Sequence, residues 1–241
     1  MDKSQPTYPP LQLELQACLV DLGHARYIKH GLVQGPWEGN ADNERYNTHL
    51  DAVSVQLEEA IAQRHWFTAV VLYQRGWRID RFESLARRTG DDGGMTDAHY
   101  WRTLGLVLID QEDCYRQRAA FRRLLVKTHR SKALRPLLMT TGERRTLAAM
   151  PDTLTVYRGC QQFNRKGWSW TLSKDKAQWF STRCYVGTPQ LLTGTVRKSD
   201  VLAYLAGRGE EEILVAPEKI LNITTLAENE EATSLTGLSQ A

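Results

Sequence analysis

Gly207-Arg208-Gly209 leads into Glu210-Glu211-Glu212, which runs straight into Ile213-Leu214-Val215. A short apolar, β-branched run bounded by glycines reads as a strand, and strand side chains alternate between faces. The alternation puts Glu210, Glu212 and Leu214 on one face and Glu211, Ile213 and Val215 on the other. Two carboxylates side by side at the mouth of an apolar strand repel each other and lose hydration. Sites of chemistry are where that cost is commonly met. Such a pair could stabilise a developing positive charge, take up a proton or orient an attacking group. The plain alternative is a solvated acidic turn ahead of an ordinary strand.

Two upstream stretches favour chemistry. In Leu154-Thr-Val-Tyr157-Arg158-Gly159, alternation sets Arg158 on the apolar face of Leu154 and Val156. A guanidinium there needs an acceptor, because an unpaired buried cation is unfavourable, and its fork suits phosphate or carboxylate. Gly159 would let a ligand approach the backbone. In Gly167-Trp-Ser169-Trp-Thr171-Leu-Ser173, the three hydroxyls share one face and Trp168, Trp170 and Leu172 the other. The hydroxyl strip can donate to carboxylates and sugar oxygens. The tryptophans read first as packing residues, with ring stacking by Trp168, Trp170 or Trp179 as the alternative.

The elements that position these residues are β-rich. Strands are expected at Leu154–Tyr157, Ser169–Leu172, Leu191–Arg197, Val201–Leu205, Ile213–Val215 and Ile220–Leu226, with a helix at Lys174–Thr182 among them. The preceding 150 residues read as helical. Helical spacing suggests segments at Leu11–Gly31, at Asn47–Gln63 either continuing through Trp66, Val70, Val71 and Tyr73 or breaking near His65, at Asp80–Arg88, and from a Thr96 cap onward, either unbroken or with a break near Asp110. Thr140-Thr-Gly-Glu143 has capping-box spacing and opens a helix to Met150. The fold class expected is α+β, divided into a helical region 1–150, a β core 151–228 and a flexible acidic tail 229–241. The helical region would serve target or partner recognition.

Length and composition allow a sizeable core, and with 41% apolar and 24% charged residues the chain reads as globular. Cys18, Cys114, Cys160 and Cys184 are widely and irregularly spaced, which suggests neither a zinc site nor a disulfide framework. No histidine lies near the three glutamates, and no HExxH is present, so a metal-dependent hydrolase is disfavoured. No glycine fingerprint of a dinucleotide-binding Rossmann fold follows a strand. The first residues lack a signal-peptide apolar core, and no run approaches the roughly 18 apolar residues of a membrane span. A cytoplasmic chain without a membrane partner is therefore expected. Net charge is +3, yet Tyr115–Arg145 holds ten Lys/Arg against Glu143 alone, a local +9. That block could be a footprint for phosphate or an acidic partner, or a solvated helix face.

Arg, then Ser-x-Thr, then Glu-x-Glu, each at a strand and in this order, resembles the ADP-ribosyltransferase superfamily. The branch resembled carries an aromatic-Arg, a Ser-Thr-Ser and a Glu-x-Glu signature. Tyr157-Arg158-Gly159, Ser169-Trp170-Thr171 and Glu210-Glu211-Glu212 are the matching stretches, with Ala177 and Phe180 on the helix after the Ser motif. Trp170 departs from the small residue usual at its position, but points off the hydroxyl face. The resemblance spans Leu154–Leu226 and says nothing of the first 150 residues.

The resemblance implies a split two-sheet β core that clamps NAD as co-substrate, without a metal. Tyr157, Arg158, Gly159, Ser169 and Thr171 would line the NAD site, with Arg158 on a diphosphate or ribose oxygen. Ser169 would bind the nicotinamide ribose or orient Glu212. Glu212 would stabilise an oxocarbenium-like state, and Glu210 would activate the acceptor. A first-position Glu in the pair goes with arginine acceptors in this family, whereas the basic block would suit RNA or DNA. A bacterial toxin or phage-related effector is the implied setting, with an antitoxin-type neutralising protein as a possible partner. The competing reading is an inactive module that docks RNA or an acidic protein through a basic helix at 115–145.

Overall fold

The computed structural model describes residues 8–88, 94–111, 116–183 and 187–226. Cys114, Cys184, the acidic tail, and most of the N-terminal arm and of the glycine-rich 88–94 connection lie outside the described residues. The chain divides into two compact units, 1–112 and 113–241. The basic segment that follows residue 115 therefore belongs with the strands and not with a helical region ending at 150.

The first unit is mixed. It opens with a four-residue helix, α1 (Leu13–Gln16), and a three-stranded antiparallel meander of β1 (Leu19–Asp21), β2 (Arg26–Lys29) and β3 (Gln34–Trp37). The single helix expected over Leu11–Gly31 is thus overturned. Gly23 adopts φ +83° and its N–H donates to Asp21 Oδ1 at 2.7 Å, a tight turn that pairs Asp21 with Arg26. Leu22, which supported a helical reading, is exposed. Helices α2 (Asn43–Ala62), α3 (Trp66–Val71), α4 (Arg78–Ala86) and α5 (Asp97–Ile109) follow. Of the two alternatives, the break at His65 and the end ahead of Asp110 are the ones present, and Thr96 caps α5 by accepting from the His99 N–H at 3.2 Å. Ile28, Leu50, Trp66, Phe82, Trp101 and Leu104 fill this unit's core.

In the second unit the basic segment is not one helix. It comprises α6 (Arg118–Phe121) running into a π-helical turn at Arg122–Val126, a 3₁₀ stretch at Lys132–Leu138 that contains Pro136, and α7 (Thr141–Ala149). Several of its cations have structural work. Arg122 grips Glu218 through two bonds of 2.8 and 2.9 Å and lies over the Trp168 ring. Arg144 donates to the Met139 carbonyl at 2.8 Å. The expected capping box is formed. The Thr140 N–H donates to Glu143 Oε2 at 2.8 Å, and the Glu143 N–H donates to Thr140 Oγ1 at 3.2 Å. The other oxygen of Glu143 accepts from the Ala206 N–H at 2.7 Å, so one buried carboxylate ties α7 to the loop before the glutamate run. Glu143→Ala removes the reciprocal cap and strands the Ala206 donor, and should lower stability by about 2 kcal/mol. A urea midpoint shift at constant slope would measure it.

Strands β4 (Thr153–Gln161), β5 (Ser169–Thr171), β6 (Pro189–Arg197), β7 (Val201–Leu205), β8 (Glu212–Val215) and β9 (Leu221–Leu226) form one antiparallel order, β7-β8-β5-β4-β6-β9. Each strand expected here exists, within two or three residues at its ends except β4, which runs on through Arg158 to Gln161. The order is continuous, but its two halves are joined thinly. β4 pairs with β6 along its whole length, from Thr153↔Arg197 to Gln161↔Pro189, whereas β4 meets β5 at the single pair Tyr157↔Thr171. In place of the two separate small sheets expected, the strands form one six-stranded sheet whose halves meet at a one-pair seam. Helix α8 (Lys174–Thr182) packs on β4, where Gly159 makes room for it, and Gln161 Nε2 donates to the Ser181 carbonyl at 2.9 Å.

Candidate active site

The three chemistry-bearing stretches converge on the seam. β5 lies between β4 and β8, and its register sets Thr171 opposite Glu212 and Ser169 opposite Leu214. Ser169 and Thr171 share a face, and the Ser169 hydroxyl lies diagonally across from Glu212, close enough to favour its charged form. Arg158 stands on β4, across the seam and one residue beyond the Tyr157↔Thr171 pair.

The glutamate run does not alternate along a strand as its sequence suggests. Glu211 takes a left-handed backbone with φ +46°, and β8 begins only at Glu212. Glu210 and Glu211 lie in the loop, which is stitched to β5 through main-chain groups. Thr171 Oγ1 donates to the Glu210 carbonyl at 2.6 Å, and the Leu172 N–H donates to the Glu211 carbonyl at 3.2 Å. The turn nevertheless brings Glu210 within electrostatic reach of Glu212. Thr171 is buried, and its hydroxyl also accepts from the Ser173 N–H at 3.1 Å. It shapes the glutamate loop rather than lining an open strip.

Glu212 is electrostatically distinctive. Loss of hydration pushes its carboxyl above the usual carboxylate range, and the negative charge of Glu210 pushes the same way. The Ser169 hydroxyl, Arg208 and Arg158 pull it partly back. The folded chain therefore binds this proton more tightly than the unfolded chain does. The stability contributed by this group is fully present below the ordinary Glu value of about 4.3 and is lost as pH rises from there through the raised folded value. Glu212→Gln should remove that fall and raise the melting temperature at neutral pH by about 2–4 °C, the equivalent of ~1 kcal/mol in a chain of this size. Melting curves of both proteins across the acidic-to-neutral range would check it.

Arg158 is half-buried and spends its fork on main-chain acceptors. Nη1 donates to the Ser169 carbonyl, and Nη2 donates to the Asn164 carbonyl at 3.1 Å. It thus fixes the loop that delivers β5 and lends positive charge to Glu212, a different duty from the expected grip on a diphosphate oxygen. A Cβ added at Gly167 would overlap this guanidinium, so Gly167 is the residue that gives it room. Gly159 is also reassigned. The backbone approaching it is that of α8, since an added Cβ would overlap the Ala177 carbonyl oxygen and the Ser181 nitrogen. Tyr157 is half-buried at the seam itself.

Two contributors have no clear signal in the sequence. One is Gly167. The other is Arg208, whose Nε and Nη2 donate to Glu210 Oε1 at 2.9 and 2.6 Å. Trp168 and Trp170 are core residues, and Trp170 Nε1 donates to the Gly167 carbonyl at 3.2 Å. Trp179 is exposed, beneath the Arg183 guanidinium at 5.2 Å. Burial raises the Cys160 thiol above its usual range, against the pull of Arg158 and Arg165, which disfavours the nucleophilic thiolate. Among the described residues no group of three or more His, Cys, Asp and Glu side chains is arranged to hold a metal ion, and no helix is long and apolar enough to cross a membrane. Comparison with known protein families, with characterised proteins and with solved structures finds no match.

Proposed function

We propose that the second unit is an NAD-dependent mono-ADP-ribosyltransferase that breaks the nicotinamide–ribose bond and passes ADP-ribose to a macromolecular acceptor. The observation that carries this reading is the placement of half-buried Glu212 at the start of β8, opposite Thr171 and on the face of Ser169, with Glu210, Arg208 and Arg158 near enough to bear on its charge beside a one-pair seam. The ordered resemblance of Tyr157-Arg158, Ser169-x-Thr171 and Glu210-x-Glu212 supports it further.

In this reading Glu212 accepts a hydrogen bond from the ribose 2′-hydroxyl and stabilises the positive charge that grows at the anomeric carbon. Ser169 is a positioning residue that aims the carboxylate. Arg158 positions β5 and limits how far burial raises Glu212. Thr171 sets the loop so that Glu210 can orient the acceptor and take its proton. Gly167→Ala should push the Arg158 guanidinium off its two main-chain acceptors, at a stability cost of about 1–3 kcal/mol. Misplacement of the β5 loop should then slow nicotinamide release by about 10²-fold. Parallel melting and release assays would separate the two effects.

The acceptor reading favours a protein guanidinium over nucleic acid. Glu210 already holds a guanidinium, and the basic segment is broken into short pieces with Arg122 and Arg144 committed to internal partners. NAD labelled in its adenylate half, incubated with the protein and a cell extract, should give product that protease destroys and nuclease spares. The reverse pattern would move the acceptor to RNA or DNA. Absence of any transfer would favour a non-catalytic binding module.

A further inference from the structure

We infer that Arg208 is a modification site: its guanidinium occupies the acceptor position beside Glu210 and Glu212, and the chain is its own first acceptor. This rests on the transferase reading above. Both donors from Arg208 converge on one oxygen of Glu210, at 2.9 and 2.6 Å. The two residues are only two apart, in a turn closed by the Gly209 N–H donating to the Ala206 carbonyl at 2.8 Å. Gly207 and Gly209 flank Arg208, and Gly209 needs its left-handed φ of +66° to make the turn. A Cβ at Gly209 would meet nothing within 4 Å, so that side of the turn opens to solvent. The Arg208 side chain keeps 32% of its accessibility, enough to be reached by a co-substrate. It binds Glu210 directly, and its charge lies close enough to Glu212 to favour that carboxylate's charged form.

A guanidinium from another protein would make the same fork-to-carboxylate contacts with Glu210. It must therefore either displace Arg208 or arrive after Arg208 has reacted. In the step itself a terminal nitrogen of Arg208 forms the new N–C bond to the anomeric carbon of NAD. The C–N bond to nicotinamide breaks, and its electron pair neutralises the pyridinium ring, which leaves as nicotinamide. The displaced N–H proton passes to the Glu210 carboxylate. No reactant other than NAD is needed.

The test uses the full chain alone with NAD, reading both nicotinamide release and the position of ADP-ribose by peptide mass mapping. The expected result is release together with one ADP-ribose on Arg208. The fraction modified per unit time should not change on dilution, because donor and acceptor sit in one molecule. Glu212→Gln should lose both signals. Arg208→Ala should transfer several-fold more ADP-ribose than the parent to a small soluble guanidinium such as agmatine, because the position beside Glu210 is vacated. Nicotinamide release without ADP-ribose on Arg208 would overturn the inference and leave the transferase reading intact. So would a modified fraction that grows with protein concentration, or agmatine transfer unaffected by Arg208→Ala. No release from any form, with or without agmatine, would defeat the transferase reading and this inference with it.

Discussion

Glu212→Gln should reduce ADP-ribose transfer by about 10³-fold or more, the equivalent of ~4 kcal/mol of transition-state stabilisation. The amide keeps the shape of the side chain, but it carries no charge to set against a cationic anomeric centre. The loss should fall on kcat and on kcat/KM alike, because the interaction strengthens only as the C–N bond breaks. The same substitution should leave the protein folded and somewhat more stable at neutral pH, since the carboxyl it removes is one that burial disfavours in its charged form. Loss of activity with a gain in stability separates a catalytic carboxylate from a structural one, whose removal would lower both. Steady-state transfer to agmatine, followed alongside melting, would read the two together.

Gly159→Ala should be among the most destabilising single changes in the chain. The added Cβ would overlap main-chain atoms of α8, and even Phe180 C would lie 2.9 Å away. Backbone in mid-helix cannot rotate aside as a side chain can. The helix must lift from β4, which loosens the buried Ala177 contact and the bond from Gln161 to the Ser181 carbonyl. A loss of about 3 kcal/mol or more is expected, or roughly 6–12 °C in melting temperature. A fall of less than 1 kcal/mol would mean that α8 does not rest on Gly159. Gly167→Ala supplies the contrast, because its added carbon meets only a flexible guanidinium.

That contrast also marks how far the residues alone could be read. Strands β4 to β9 and helix α8 were legible because apolar alternation and bounding glycines are local signals. The capping box at Thr140 and Glu143 was legible for the same reason. The meander at Leu19–Trp37 was not: its strands are three or four residues long, and apolar residues at 11, 15, 18 and 22 imitate a helical period by chance. The role of Gly159 was half legible. The need for close approach follows from its type, but only the packed fold says that a helix does the approaching. Glu210 and Glu212 come near each other as expected, by a different route. The left-handed Glu211 bends the chain where an extended strand was expected. The Arg208 clasp depends on that bend and on the turn before it, and neither has a signature in residue spacing.

The most direct measurement is NAD binding and nicotinamide release on purified protein, comparing the parent chain with Glu212→Gln. The account predicts that the parent binds NAD and releases nicotinamide, whereas Glu212→Gln binds NAD with similar affinity and releases almost none. Parent protein that neither binds NAD nor releases nicotinamide would contradict the account, as would a Glu212→Gln variant that cleaves NAD at the parent rate.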